Sequence, residues 1–165
     1  PGLTPRPLRR IASGGELSRV MLASMVVLGG ADGVDTLVFD EVDAGVGGAV
    51  ARSLAAVLAD LARTHQVIVV THVAQVAVVA TEHYVVSKSD GDIPETRLSK
   101  VAGEERVREV ARMLSGDTGE ASIAHAREML AEPARFRDRL PVVYVCVSCI
   151  CAACGSISSC WITRS

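Results

Sequence analysis

Thr36-Leu37-Val38-Phe39-Asp40-Glu41-Val42-Asp43 runs directly into Ala44-Gly45-Val46-Gly47-Gly48. An uncharged apolar run that stops at two adjacent carboxylates reads as a buried strand carrying acid groups to its C-terminal edge. Carboxylates placed there are costly to desolvate unless a cation or hydrogen-bond donors compensate them. In α/β proteins that hydrolyse nucleotides, Mg²⁺ and its phosphates provide that compensation. One carboxylate holds the metal through water and its neighbour handles the attacking water. The glycines that follow let the backbone pass close to another group before a helix resumes. Taken alone, the stretch fits a strand ending in solvated acids equally well, and its neighbours in the chain must separate the two readings.

Upstream stands Ala12-Ser13-Gly14-Gly15-Glu16-Leu17-Ser18-Arg19, after a basic, proline-rich lead-in over residues 1–12. Leu17, Val20, Met21, Met25 and Leu28 recur at helical spacing, which places Ser13, Gly14 and Gly15 at a helix N-terminus. Free backbone N–H groups, the positive end of the helix dipole and bare glycines together form a cradle for phosphate. The alternative is a plain serine N-cap followed by a flexible glycine pair.

Downstream, Val50, Leu54, Val57, Leu58 and Leu61 form a second helical stripe, followed by Gln66-Val67-Ile68-Val69-Val70-Thr71-His72. Strand, helix and strand within so short a span make a βαβ unit, with parallel neighbours and a right-handed crossover. Both strand ends then open on one edge of the sheet, and Asp40, Glu41 and His72 become neighbours through topology. A lone histidine after a buried strand is commonly a rim or core residue; beside two carboxylates it can equally donate to a terminal phosphate or hold the attacking water. Beyond it the pattern predicts a short helix from Val73 to Ala80 and a hairpin of 84–88 with 96–101 around Asp90-Gly91-Asp92. Two further helices are expected, one opening at Gly103 and one over 120–130, with His125 on the surface.

The totals fit this outline. Hydrophobic residues at 49% and charged residues at 22% of 165 describe a globular chain with a sizeable core, and aromatics at 3% make that core aliphatic. A formal net charge of -2 gives no global basic field for nucleic acid, so any contact with DNA is local or lies elsewhere in a larger protein. No secretory pattern is visible, which sets a cytoplasmic expectation. No internal repeat or sustained heptad is present.

From Pro141 the character changes. All five cysteines lie between Cys146 and Cys160, within an uncharged run that reaches Thr163. The Cys146/Cys149 and Cys151/Cys154 spacings resemble metal knuckles but are crowded together. The run is long enough for a bilayer yet diluted by serine, cysteine and glycine. A redox pair lacks a strand-to-helix setting. The remaining reading is a Cys-rich segment over 132–165 that stands outside the fold of residues 13–131.

Four motifs in this order carry a resemblance. Residues Ala12 to Arg19 resemble the signature of ABC-type ATPases, and Leu37-Val38-Phe39-Asp40-Glu41 their Walker B strand. Val42 to Gly48 resemble the D-loop, and Val70-Thr71-His72 the switch-histidine loop. The wording is most similar to the bacterial DNA-repair ATPases related to the structural-maintenance-of-chromosomes (SMC) proteins, over about residues 5–131. The resemblance implies an α/β fold, the C-terminal lobe of an ABC-type, SMC-like head with a mainly parallel sheet. It also implies that Ser13, Gly14 and Gly15, with Glu16 in the same loop, contact the γ-phosphate of ATP held by an opposite head. Asp40 would hold Mg²⁺, Glu41 would polarise water, Asp43 would bridge the two heads and His72 would sense the γ-phosphate. Implied partners are a second head or the N-terminal half, and DNA through the full-length protein, with no membrane; the implied place is the cytoplasm, on the nucleoid.

One departure is decisive for activity. No G-x-x-x-x-G-K-[ST] occurs in the chain, whose only lysines are Lys88 and Lys100. Without that loop there is no grip on the β- and γ-phosphates and no hydroxyl ligand for Mg²⁺. The expectation is half of a catalytic site, inactive alone. An interaction module that completes a partner's ATP site, or a nonfunctional remnant, are the alternatives.

Overall fold

The structure is a computed structural model that describes residues 12–28, 33–88, 95–132 and 144–150. The expected lead-in over 1–12 and the turn at Asp90-Gly91-Asp92 thus lie outside the described residues, apart from Ala12.

Strand β1 (Thr36–Asp40) alternates exposed and buried along its length, with Leu37 and Phe39 inward. Strand β2 (Gln66–Val70) lies parallel to it, in a register that runs from Thr36 opposite Gln66 to Asp40 opposite Val70. Helix α2 (Gly48–Leu61) supplies much of the rest of this core, whereas α1 (Gly14–Leu28) adds Leu22 with Met25 packed against it, and Leu17, Val20, Met21 and Leu28 of the expected α1 stripe are exposed. Leu54, Leu58 and Leu61 of the expected α2 stripe are buried and pack with Leu22, Leu37, Phe39, Val67 and Val69, but Val50 and Val57 are exposed and Ala51 and Ala55 take the inner face in their place. The expectation of a fully buried first strand needs correction. β1 is the edge of the sheet, and Val38 on its second face is 65% exposed.

The short helix expected after His72 is a single turn, α3 (Ala74–Ala77). Strands β3 (Glu82–Lys88) and β4 (Thr96–Val101) form the expected antiparallel pair. Helices α4 (Gly103–Ser115) and α5 (Glu120–Ala131) follow. Val107, Val110 and Ala111 of α4 join Ala126 of α5 and Ala74 and Val78 in a second core. Gly116 ends α4 with φ of 78°, a left-handed turn that suits glycine.

The sheet order is β1-β2-β5-β3-β4, where β5 is Tyr144–Ile150. β5 runs parallel to both neighbours, with Val67 opposite Tyr144 on one side and Glu82 opposite Val145 on the other. The expectation that everything from residue 132 stands outside the fold therefore differs from the structure at this stretch. A run rich in valine with no charge is suited to a strand paired on both sides. Four parallel strands thus point their carboxyl ends to one rim, and β4 alone runs the other way.

Candidate functional site

The rim above β1 and β2 is where the predicted residues meet. Asp40 closes β1, and its carbonyl oxygen accepts a hydrogen bond from Ser18 Oγ at 2.8 Å. The chain then turns sharply. Glu41 adopts φ of 55°, the only non-glycine among the described residues in the left-handed region. Its carbonyl accepts from Ala44 N at 3.0 Å, and that of Asp43 accepts from Val46 N at 3.0 Å. Val42 is fully buried and anchors the turn from below. Arg19 Nη1 on α1 donates to the carbonyls of Val42 at 3.2 Å and Ala44 at 2.9 Å. The acidic turn is therefore held by the helix that precedes it in sequence.

At the start of that helix Ser13 and Glu16 cap each other. Ser13 N and Ser13 Oγ donate to Glu16 Oε2 at 2.7 and 2.9 Å, and Glu16 N faces Ser13 Oγ at 3.4 Å. This is the reciprocal capping box of an S-x-x-E sequence. The same two donations hold the Glu16 carboxyl below its ordinary range. Ser13 and Gly14 are exposed, while Gly15 is buried. A Cβ on Gly15 would lie 2.7 Å from both the Glu41 carbonyl oxygen and Ala44 Cβ; one on Gly14 would lie 2.9 Å from Glu41 Oε2. The glycine pair is thus set against the acidic turn of its own chain, an intramolecular fit that the phosphate reading did not foresee.

The third part follows β2. Thr71 Oγ1 donates to Asp43 Oδ2, the backbone N–H of His72 reaches the same oxygen at 3.3 Å, and His72 Nδ1 stands 3.5 Å from it. Asp43 is 1% exposed. Asp43, expected to bridge two heads, has its carboxylate turned inward and bonded to the loop after β2. His72 keeps 47% of its side chain exposed.

The structure therefore brings Asp40, Glu41, Asp43 and His72 to one rim, since Asp40 pairs with Val70 two residues before His72. It adds Ser13 to Glu16 at a helix start beside Glu41. Asp40 and Glu41 are exposed, and among the described residues no hydrogen bond or ion pair engages either carboxylate. Exposed carboxylates free to face a cation suit Mg²⁺, which is commonly held by one or two acids together with substrate phosphates. A self-sufficient metal cage is a different matter: no group of three metal-ligating side chains occurs among the described residues. Sequence reading assigned no role to Ser18, Arg19 or Thr71. All three lie within the motif segments, and their polar side chains follow the helical and strand periods toward the turn.

No protein-family model matches the chain. Curated relatives do. The DNA repair protein RecN of Treponema pallidum (strain Nichols) is 52% identical over 138 residues, 82% of this chain and 24% of that protein. RecN of Deinococcus radiodurans is 55% identical over 134 residues, covering 79% of this chain and 23% of the relative. RecN of Streptomyces coelicolor is 53% identical over 132 residues, with the same two coverages. The chain spans about a quarter of the length of these relatives. Over the matched four fifths of its sequence, the chain is similar to a part of the RecN DNA repair proteins.

Proposed function

We propose that this chain is the C-terminal lobe of a RecN-like, SMC-related ABC ATPase head. In that reading it supplies half of an ATP site used in DNA double-strand-break repair and recombination. The observation that carries this reading is the pair of exposed, unengaged carboxylates, Asp40 and Glu41, at the rim that also bears His72. Asp40 binds Mg²⁺ through water, and Glu41 takes up the proton side of water attack. His72 meets the terminal phosphate, while Ser13 and Gly14 face the nucleotide of a second head from an exposed helix start. Bound Mg²⁺ supplies charge neutralisation for the departing phosphoryl group. DNA contacts belong to the larger protein, which acts in the cytoplasm on the nucleoid. Among the described residues no helix is long and apolar enough to cross a membrane.

The chain lacks the lysine loop that grips the β- and γ-phosphates, so it is inactive alone and needs a P-loop-bearing partner. The test is ATP hydrolysis by this chain mixed with the separately purified P-loop portion of a RecN relative. Activity that appears on mixing and vanishes with Glu41→Gln supports the proposal. Activity that survives Glu41→Gln but needs Gly14 makes the chain an accessory that completes a partner's site. Turnover by this chain alone, sensitive to Glu41→Gln, overturns the half-site reading.

A further inference from the structure

Asp43 presents an unusual imbalance for a buried acid. Its Oδ1 atom has no hydrogen-bond partner, so all compensation for burial falls on Oδ2. Around Oδ2 stand the Thr71 hydroxyl, the backbone N–H of His72 and His72 Nδ1. The first two are donors by chemistry. The third can be a donor or a lone pair, depending on which ring nitrogen carries the proton. A lone pair aimed at a carboxylate oxygen is repulsive, whereas an N–H there adds a charge-assisted contact that the buried acid lacks elsewhere. One ring nitrogen's contact then decides the state of the other.

We propose that Asp43 is a positioning residue that keeps the His72 ring protonated at Nδ1, turned toward Oδ2, and leaves Nε2 as the outward-facing atom. The neutral ring thus presents a lone pair at the rim, suited to accept a hydrogen bond from water, and becomes a donor at Nε2 only after taking up a proton. Thr71 contributes by fixing the carboxylate. Val73 N donates to Thr71 Oγ1 at 3.0 Å, so the hydroxyl is oriented with its hydrogen toward Asp43. The consequence for phosphate recognition rests on the function proposed above; the proton's position on the ring does not.

The experiment is long-range ¹H–¹⁵N correlation spectroscopy of the intact chain labelled at histidine, at a pH where the rings are neutral. His72→Gln assigns the signal among the four histidines. The expected result is about a tenfold excess of the Nδ1–H form at His72 in the wild-type chain. In Asp43→Ala the excess moves to the Nε2–H form. An Nε2–H majority in the wild-type chain overturns the proposal, and so does a ratio unchanged by Asp43→Ala. Should that variant fail to fold, the wild-type ratio decides alone. Because no nucleotide is involved, a failed ATPase mixing assay leaves this result standing, and the converse holds.

Discussion

Arg19 reaches from α1 to the acidic turn, where its Nη1 atom donates to the carbonyl oxygen of Ala44 at 2.9 Å. With the second donation to Val42 at 3.2 Å, one guanidinium fixes the backbone on both sides of Asp43. A hydrogen bond from a charged donor contributes about 1.5–3 kcal/mol where its partners are shielded from water. Arg19→Gln is expected to lower unfolding free energy by about 2 kcal/mol in urea titration. Arg19→Lys should recover only part of this: both bonds leave from the single Nη1 atom and an ammonium also carries several donors, but its stem is shorter and lacks the rigid guanidinium plane. Full recovery by lysine would show that charge alone matters.

Gly14 and Gly15 separate two explanations of the glycine pair. A methyl group on Gly15 strikes the backbone oxygen of Glu41 at 2.7 Å, which can yield only by moving the turn. Overpacking of this kind costs about 1–3 kcal/mol. On Gly14 the obstacle is the tip of the Glu41 side chain at 2.9 Å, which can swing away. Gly15→Ala should therefore destabilise by about 2 kcal/mol and Gly14→Ala by about 0.5 kcal/mol or less, measured by denaturant titration. Equal losses would mean that the acidic turn does not crowd the helix start as described.

Glu41 carries backbone strain together with its carboxylate. A left-handed conformation costs an L-residue roughly 1–2 kcal/mol, and glycine is free of this penalty though its unfolded state is richer in entropy. Glu41→Gly should raise stability by about 0.5 kcal/mol net, while Glu41→Gln leaves it unchanged, since φ of 55° is kept. Thermal unfolding of the three proteins checks the order. A glycine variant less stable than the wild type would show that the Glu41 side chain contributes more than its backbone costs.

Acid should act first through His83. It is fully buried on β3, and burial, then the nearby Arg106 charge, push its pKa down from 6.5 to about 4. The unfolded chain therefore binds this proton first as pH falls. Stability is full above pH 6.5, declines as pH falls toward about 4, and levels off below. The depression corresponds to a loss of about 3 kcal/mol. His83→Leu should flatten the stability profile in that window while leaving the carboxylate-driven loss at lower pH. A slope that persists in the variant would assign the acid sensitivity to other groups.

Much of the arrangement could be read from residue order. The alternation at Leu37 and Phe39, the spacing of Leu54, Leu58 and Leu61, and the parallel β1–β2 pair follow from local period and the length of the connection. His72 and the acids share a rim for the same reason. What the sequence could not give is who faces whom across the turn. Ser13 and Glu16 were legible as an N-terminal signal, yet the S-x-x-E box that joins them is a local side-chain geometry that the phosphate reading passed over. The resemblance gives Asp43 a role between heads and says nothing of its contacts within the chain; its inward turn depends on Thr71, a partner 28 residues away. The place of β5 is not legible because strand partners are a property of the whole sheet: the uncharged run is visible in the sequence, but that β2 and β3 flank it is not.

The position of β5 has a temporal consequence. β2 and β3 pair only with β5 between them, so the two halves of the sheet have no direct ladder with each other. Ribosomes make this strand after the other four. Until then β2 and β3 each present an open edge, the kind of surface on which nascent chains stick to one another. Closure of the sheet must wait for the strand that ends at residue 150, which makes maturation of this chain a late event.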